Sequence, residues 1–506
     1  MKKVLGFLIF FSILVFTLAG PSYGWQGRMA GMAEPFGLLL DESDFLIHPS
    51  KIAQGKGITF YGDYRFTYTD VRDWDHHLDV FNTSGTLIDS LHFDTSGEEY
   101  KHNTLLGAAF PLGPGRMGTF FSFENNRGDY DGVRRPFGII DGDKYYMDSE
   151  LDDLSFSLIY GLPINKSDFG LELGVAHRDE QKRWRIPNTR NDIWPTDYSQ
   201  NLHFFMNPYD SNYWEMFGKA SIGAKFNVAS FDWTVRGGYI IDSDNENKYE
   251  YAYGNNDENV DMRGDVEGWR IGSDFWLRYG LGDGWTLPFL LSADYAKKVR
   301  DGQGIGLGPS DIGNRYTYKH YEKTQEIKVG GGVEKIMNAN GLIAAGLYYH
   351  YLRGWEHQKF SNPDYFGSFG GYDYDYKHFP LHKEHRLEMK VAGELKISPS
   401  VTLRMGLSPF YGWVGTHNFE QRAVFFGVET DEINLDGHAC GINASFGGTV
   451  KISRLSLEPF INGGYRRLKL DGDGEARNSV LIFPDLWEME QNRKEWLIGG
   501  GFSIKF

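Results

Sequence analysis

Hydrophobic and polar residues alternate along most of the chain. In the segment HRLEMKVAGELKI, residues 385–397, the apolar residues Leu387 and Met389 alternate with the charged residues Glu388 and Lys390. Successive side chains of a strand point to opposite faces, whereas a helix would scatter both sets around its axis. The pattern therefore predicts strands that have one apolar face and one polar face.

Sixteen segments with this alternation predict sixteen strands. Their approximate ranges are 57–70, 99–110, 117–127, 150–162, 169–180, 213–226, 231–241, 265–281, 285–298, 321–336, 341–353, 384–397, 400–415, 437–452, 455–468 and 494–506. Short connectors such as PINKSD and GDG alternate with long ones, which are expected as loops over 181–212, 242–264, 354–383 and 469–493. Short turns at one end and long loops at the other are typical of outer-membrane barrels.

The first residues have the pattern of an export signal. Lys2 and Lys3 precede an apolar run over residues 4–18, and the small residues Ser22 and Gly24 follow it. A basic start, a short apolar core and small residues indicate a secretory signal peptide, because a membrane-spanning helix needs about 20 apolar residues.

These observations predict an all-β fold, namely a transmembrane antiparallel up-and-down β-barrel of about 16 strands, with 14 to 18 allowed. The predicted divisions are a signal peptide over 1–24, an N-terminal plug or periplasmic segment over 25–56 and the barrel over 57–506. A closed barrel satisfies every backbone amide in lipid, which explains why the alternation is so regular.

The last strand keeps Phe502, Ile504 and Phe506 on one parity up to the final residue. This ending resembles the C-terminal assembly signal of Gram-negative outer-membrane proteins. The resemblance implies an outer-membrane location, with outer-membrane lipid and the barrel assembly machinery as partners. An even strand count leaves both chain ends in the periplasm, so the last strand is expected to pair with the first.

The segment GRMAGMAEPFGLLLDESDFLIHPSKIA, residues 27–53, resembles the N-terminal segment of the long-chain fatty-acid transporter family. His48-Pro49-Ser50 stands where that family has Asn-Pro-Ala. The resemblance implies a hatch folded inside the barrel, and a periplasmic tail is the alternative. The residues of this plug prediction are Asp41, Glu42, Asp44, His48 and Pro49.

Composition limits the classes of function. Without the signal peptide, 50 basic residues face 68 acidic ones, a formal charge of −18, which argues against nucleic acid as a partner. Cys440 is the single cysteine, so no intrachain disulfide can form. Neither the histidines of HFPLHKEH nor the acidic stretches near 242–250 and 471–475 have the spacing of a zinc or EF-hand site. We expect no metal, no cofactor and no enzyme activity.

The polar faces of the strands predict a lumen with charges of both signs, which is either water-filled or stiffened by ion pairs. The predicted lumen-lining residues are Asp63, Arg65, Glu124, Glu172, Arg178, Arg236, Arg270, Asp274, Arg278, Asp294, Arg386, Glu388, Lys390, Glu394, Arg404 and Glu458.

The main functional prediction is a porin or substrate-selective channel for passive transport of small hydrophilic solutes, with a weak preference for cations. One alternative is a hydrophobic-substrate transporter of the fatty-acid transporter type, and another is a surface adhesin or scaffold barrel. The transported solute and the oligomeric state stay open, and a homotrimer is one option.

Overall fold

The computed structural model describes residues 29–506 other than 31, 34–37, 40, 82–83, 137–142, 186–208, 254–255, 307–314, 338–340, 363–373, 379–380, 425–426, 454 and 479–484. The predicted signal peptide therefore lies outside the described residues. Within the described ranges, no helix is long and apolar enough to cross a membrane.

Eighteen strand segments form one antiparallel sheet in the described part of the chain. They are β1 (Thr59–Phe81), β2 (Leu87–Leu112), β3 (Gly115–Pro136), β4 (Asp143–Ile164), β5 (Ser167–Arg185), β6 (Tyr209–Lys225), β7 (Ala229–Tyr253), β8 (Asn256–Gly264), β9 (Val266–Gly282), β10 (Trp285–Gly306), β11 (Arg315–Met337), β12 (Gly341–Asn362), β13 (Tyr374–His378), β14 (Leu381–Ser398), β15 (Val401–Val424), β16 (Gly427–Ile452), β17 (Leu455–Asn478) and β18 (Asp485–Lys505).

Two pairs of consecutive segments each act as one strand of the wall. Both β8 and β9 lie between β7 and β10, and both β13 and β14 lie between β12 and β15. The wall therefore has sixteen strands, each paired with its neighbours in chain order. The predicted all-β barrel of about sixteen antiparallel strands is confirmed.

The first and last strands close the barrel. The ladder between β1 and β18 runs from Tyr61 opposite Lys505 up to Phe81 opposite Leu486. At its lower end, Phe60 and Phe506 exchange two backbone hydrogen bonds of 3.2 Å each. Closure leaves no edge strand, so every wall strand has hydrogen-bonded neighbours on both sides.

The outer surface of the barrel is apolar over a continuous band. Leu173, Leu347 and Ile498 are more than half exposed there, and Cys440 is also exposed. Aromatic residues such as Trp269, Trp413 and Trp496 lie on the same outer face. An apolar band with aromatic girdles matches the hydrocarbon layer and the interfaces of a bilayer.

The predicted long loops are largely wrong, because the strands continue through them. β7 extends to Tyr253 and pairs with β8, although residues 242–264 were expected as a loop, and β17 extends to Asn478. The stretch DSDNENKYE in β7 has polar residues at almost every position. Polar residues occupy both faces of this stretch, and one of them, Asn245, is fully buried and accepts a hydrogen bond from the Ser211 hydroxyl, so hydrophobic alternation is lost while the backbone ladder continues.

The N-terminal segment lies inside the barrel. It forms two short 3-10 helices, η1 (Glu42–Leu46) and η2 (Pro49–Gln54). Asp41 caps η1, because its carboxylate accepts a hydrogen bond of 2.9 Å from the Ser43 amide. Phe45 packs against the inward rings of Tyr61 and Phe120, with centroid distances of 5.5 and 5.1 Å. In the structure, β1 begins at Thr59. The division of the chain into a segment over 25–56 and a barrel over 57–506 stays a prediction.

We expect that deleting Phe506 will block barrel assembly rather than transport. The deletion removes both backbone hydrogen bonds to Phe60 and the last residue of the outward apolar set. Membrane fractionation followed by a heat-modifiability gel measures the folded fraction. A matched control, Phe502→Leu, keeps chain length and ladder, and normal outer-membrane levels of the truncated protein would contradict the prediction.

Candidate functional site

Charged wall residues hold the N-terminal segment in the lower lumen. Lys219 of β6 donates 2.6 Å to the carbonyl of Leu46 and pairs with Glu172 at 2.8 Å. Arg278 of β9 donates 2.8 Å to the carbonyl of Leu38 and pairs with Glu334. These cations satisfy buried backbone carbonyls, which would otherwise be costly inside the barrel.

His48 lies at the centre of this contact. Its Nδ1 is 2.7 Å from the Thr234 hydroxyl, and its ring packs edge-on against Trp276 at 4.4 Å. Burial, together with the cations Lys51 and Lys219, lowers the pKa of His48 from 6.5 to about 2. The imidazole is therefore neutral.

A buried acid–base group lies beside His48. The Lys51 ammonium is 3.1 Å from Asp44 and 3.1 Å from Asp232 of β7. Burial raises the pKa of Asp44 from 3.8 to about 6, and the Lys51 charge offsets only part of that effect. The predicted plug residues Asp41 and Asp44 thus fix the local fold of the segment, whereas the side chain of Glu42 is outside the described residues.

Two apolar clusters fill the remaining space between segment and wall. Met29, Met32, Leu38 and Leu39 pack against wall residues that include Trp276. Phe45 and Ile52 pack against a second set of wall residues. Side chains with 0 to 2 % exposure on the segment show that it packs closely against the lower wall.

Wall glycines give the segment room to approach. A Cβ at Gly170 of β5 would collide with the backbone of Pro49 and Ser50, and one at Gly406 of β15 would collide with the backbone of Met32. The Ser50 amide instead donates 2.6 Å to the Ser221 hydroxyl. The fit between wall and segment is therefore set by backbone contact as well as by side chains.

All sixteen predicted lumen residues have a polar partner on the inner face. The partners within 3.1 Å include Arg65 for Asp63, Lys101 for Glu124, Asp153 for Arg178, Asp294 for Arg236, Glu215 for Arg270, Ser292 for Asp274, His350 for Arg386, Arg404 for Glu394 and Thr449 for Glu458. Glu388 accepts from Ser408 at 2.5 Å and lies 3.5 Å from Lys390. Their role along a transport path stays a prediction.

The upper lumen, on the side of the long connections, has a charged wall that the sequence analysis missed. Glu180 of β5 accepts from both Lys298 (2.9 Å) and Arg300 (2.5 Å) of β10, and from the Tyr213 hydroxyl at 2.6 Å. Arg300 also pairs with Glu322. The alternation places these side chains on the inner face. It does not show that Glu180 meets Lys298 and Arg300, because β5 and β10 are not neighbouring strands.

A cavity of about 280 Å³ opens beside this charged wall. Arg178, Tyr213, Arg270, Lys298 and Glu322 are among its lining residues. The small residues Gly238, Gly268 and Ala296 also line it and leave the space that larger inward side chains would fill.

Another part of the upper wall is apolar. Val414, Leu435, Ala439 and Leu470 of β15–β17 form one inward cluster, which we call the upper apolar cluster. Val71, Trp74, Tyr130 and Met147 of β1, β3 and β4 form a second one. The upper part of the wall therefore has apolar clusters on β15–β17 and on β1, β3 and β4, and a charged group on β5, β6 and β10.

In the described ranges, no group of three or more His, Cys, Asp or Glu side chains could hold a metal ion. Parts of the histidine-rich stretch HFPLHKEH and of its preceding loop lie outside those ranges. The absence of a metal or cofactor stays a prediction.

Comparison with known proteins finds distant similarity to solved structures and no match among family models or curated sequences. No family model matches this sequence, and no curated protein sequence matches it. Among solved structures, a FadL homologue from Pseudomonas aeruginosa is 11% identical, with a TM-score of 0.39 over 97% of this chain and 99% of that chain. The Pseudomonas putida toluene transporter TodX is 10% identical, with a TM-score of 0.38 over 94% and 98%. CymD, described as a monoaromatic hydrocarbon channel, is 11% identical, with a TM-score of 0.37 over 96% and 97%.

We expect Gly170→Ala to prevent docking of the N-terminal segment while the barrel still assembles. The added methyl group collides with backbone atoms of Pro49 and Ser50, which cannot move aside as a flexible side chain would. Limited proteolysis of the reconstituted protein should then cleave the segment.

Gly463→Ala of β17 is the matched control, because its methyl group would meet only the Leu497 carbonyl at 3.5 Å. Equal protection of the segment in both variants would contradict the proposed backbone contact.

We expect docking of the segment to depend on pH in opposite directions in two variants. Because the pKa of Asp44 is raised in the docked segment, docking weakens as the pH rises from about 4 to about 6. Because the pKa of His48 is lowered in the docked segment, docking weakens as the pH falls below 6.5. Each contributes about 1.4 kcal/mol per pH unit, so they largely cancel in the wild type.

Asp44→Asn should therefore lose protease protection between pH 6.5 and 4.5, whereas His48→Gln should gain it. The wild type serves as the reference with a flat profile. Parallel pH profiles of the two variants would rule out this assignment.

Proposed function

We propose that this chain is an outer-membrane transporter that takes up small, largely apolar molecules through the barrel lumen. The observation that carries the proposal is the composition of the upper wall, which has the upper apolar cluster on β15–β17 and the charged group around Glu180 and Arg300 on β5 and β10. Ligand sites are mostly apolar with a few polar groups that fix orientation, and this wall offers both kinds of group. Of the functions predicted from sequence, this is the hydrophobic-substrate alternative.

The docked segment supports a gated transporter rather than an open pore. Met32, Leu39 and Phe45 are at most 1 % exposed where they meet the wall, so the segment occupies part of the lower lumen. We infer that the segment shifts when a solute passes. The His48, Asp44 and Lys51 contacts with β6, β7 and β9 are the interactions that such a shift would break.

The second candidate is the hydrophilic, weakly cation-preferring channel. The sixteen paired charges of the wall favour it, since charged side chains at this density are otherwise found where water reaches them. Pairing also satisfies those charges without solvent, so they fit a closed lumen equally well. The discriminating quantity is the permeability to ions compared with that to apolar probes.

We expect Leu468→Gln combined with Met489→Gln, at two partly exposed residues packed against the upper apolar cluster, to lower uptake of an apolar probe about tenfold. Replacing two apolar contacts by amides should cost on the order of 1.4 kcal/mol of probe affinity, which corresponds to that factor. Proteoliposomes loaded with a toluene-binding or fatty-acid-binding fluorescent reporter provide the measurement. Leu497→Gln, on the same inner face of β18 but outside the upper apolar cluster, is the control.

Planar-bilayer conductance separates the two candidates on the same samples. The proposal expects little ion current from the wild type and unchanged current in the double variant. Steady ion current with a modest cation preference at low salt, together with unaffected probe uptake, would favour the hydrophilic channel instead.

A further inference from the structure

The outer surface of β10–β14 carries a row of cations at one level. Lys297 of β10 lies directly opposite Lys323 of β11, and Arg353 of β12 lies directly opposite Lys383 of β14. We call these four residues the basic face. Like charges directly opposite each other on neighbouring strands are destabilising unless a counter-charge is present.

The basic face has no counter-charge of its own. In the described part of the chain, none of its four residues has a carboxylate within ion-pair distance, and Lys323 contacts only the Trp355 ring, at 4.3 Å. Four other outward cations do have a carboxylate within ion-pair distance: Arg72 with Asp70, Arg127 with Glu150, Lys469 with Asp471 and Lys494 with Asp73. The basic face differs from these four sites in having two directly opposed cation pairs and no ion pair among the described residues.

The basic face lies immediately beyond the apolar band. Tyr295, Tyr351 and His385 each lie two positions closer to the apolar band, on β10, β12 and β14. The rings of Tyr351 and His385 pack with a centroid distance of 5.0 Å. Further into the band follow Leu347 and Met389, both about half exposed. Aromatic girdles mark the headgroup level of a bilayer, so the four cations lie at the level of lipid phosphates.

The opposite side of the barrel has the reverse charge at the corresponding level. Glu98, Asp129 and Asp148 lie opposite one another on β2, β3 and β4, and Asp152 lies opposite Asp179. An anionic lipid would be repelled there. The outer surface is thus basic on one side and acidic on the other rather than evenly charged.

We propose that the basic face binds the phosphate groups of the glycolipid in the outer leaflet of the outer membrane. Clustered lysine and arginine at a membrane surface attract anionic headgroups, and phosphate is the anion available at this level. Bound phosphates relieve the repulsion within the Lys297–Lys323 and Arg353–Lys383 pairs. The proposal concerns the outer surface only and does not depend on what passes through the lumen.

A second copy of the chain fits the basic face less well than lipid phosphates do. The acidic side could meet the basic face of another barrel, but the centres of the two lie roughly 150° apart around the wall, whereas head-to-tail closure of a trimer needs contact faces about 60° apart. Charge pairing of this kind would give an open chain of barrels in the membrane.

The test uses the full-length protein in neutral detergent with phosphorylated lipid A as the probe. Native mass spectrometry measures its binding against the same lipid A after enzymatic removal of its phosphates. We expect the wild type to bind the phosphorylated form at least tenfold more tightly. The variant with all four basic-face residues changed to Gln should lose that preference, and the variant with all four changed to a residue of the same charge (Lys→Arg, Arg→Lys) should keep it.

The matched control changes Arg72, Arg127, Lys469 and Lys494 to Gln, which removes the same charge from paired outward sites. This variant should keep the wild-type preference to within about twofold. Equal binding of both lipid forms by the wild type would overturn the proposal even if the Gln variant fails to fold. An equal loss in the control, or self-association that requires the basic face in analytical ultracentrifugation, would overturn it as well.

Discussion

The backbone ladder between β1 and β18 is the constraint on which the rest of the structure depends. In a bilayer an unpaired amide has no water to bind, so the sheet must close on itself or leave a row of costly groups. Closure fixes which side chains point inward, because one residue of slippage would turn every side chain to the other face. The lumen chemistry and the charge pattern of the outer surface both follow from that register.

The interior is divided into two regimes along the barrel axis. In the lower lumen, the N-terminal segment brings its own apolar side chains, and wall cations such as Lys219 and Arg278 satisfy its carbonyls. Ion pairs such as Lys219 with Glu172 and Arg278 with Glu334 offset the cost of burying these charges. In the upper lumen, the described residues of the wall form apolar clusters on some strands and a charged group on others.

The same alternation serves two environments at once. Inside, charged residues pair across strands, as Arg404 does with Glu394 and Glu458. Outside, the band is apolar until the aromatic girdle, where charges begin again and lie unevenly around the wall. Part of the net acidity lies on the outward faces of extended strands, as at Asp129, Asp148 and Asp179 of β3–β5.

The sequence by itself determined the barrel, its strand number, and the inward parity of residues such as Glu388 and Arg404, because period two is a local property that every strand displays. It also indicated the closing strand, since Phe502 and Phe506 keep their parity to the chain end. Only the tertiary structure decided that β7 continues through DSDNENKYE, where polar residues occupy both faces and no hydrophobic alternation remains. Likewise, Glu180 meets Arg300, and His48 meets Thr234, across 120 and 186 residues of chain. Such contacts depend on how the closed wall brings distant strands together, which no local pattern records.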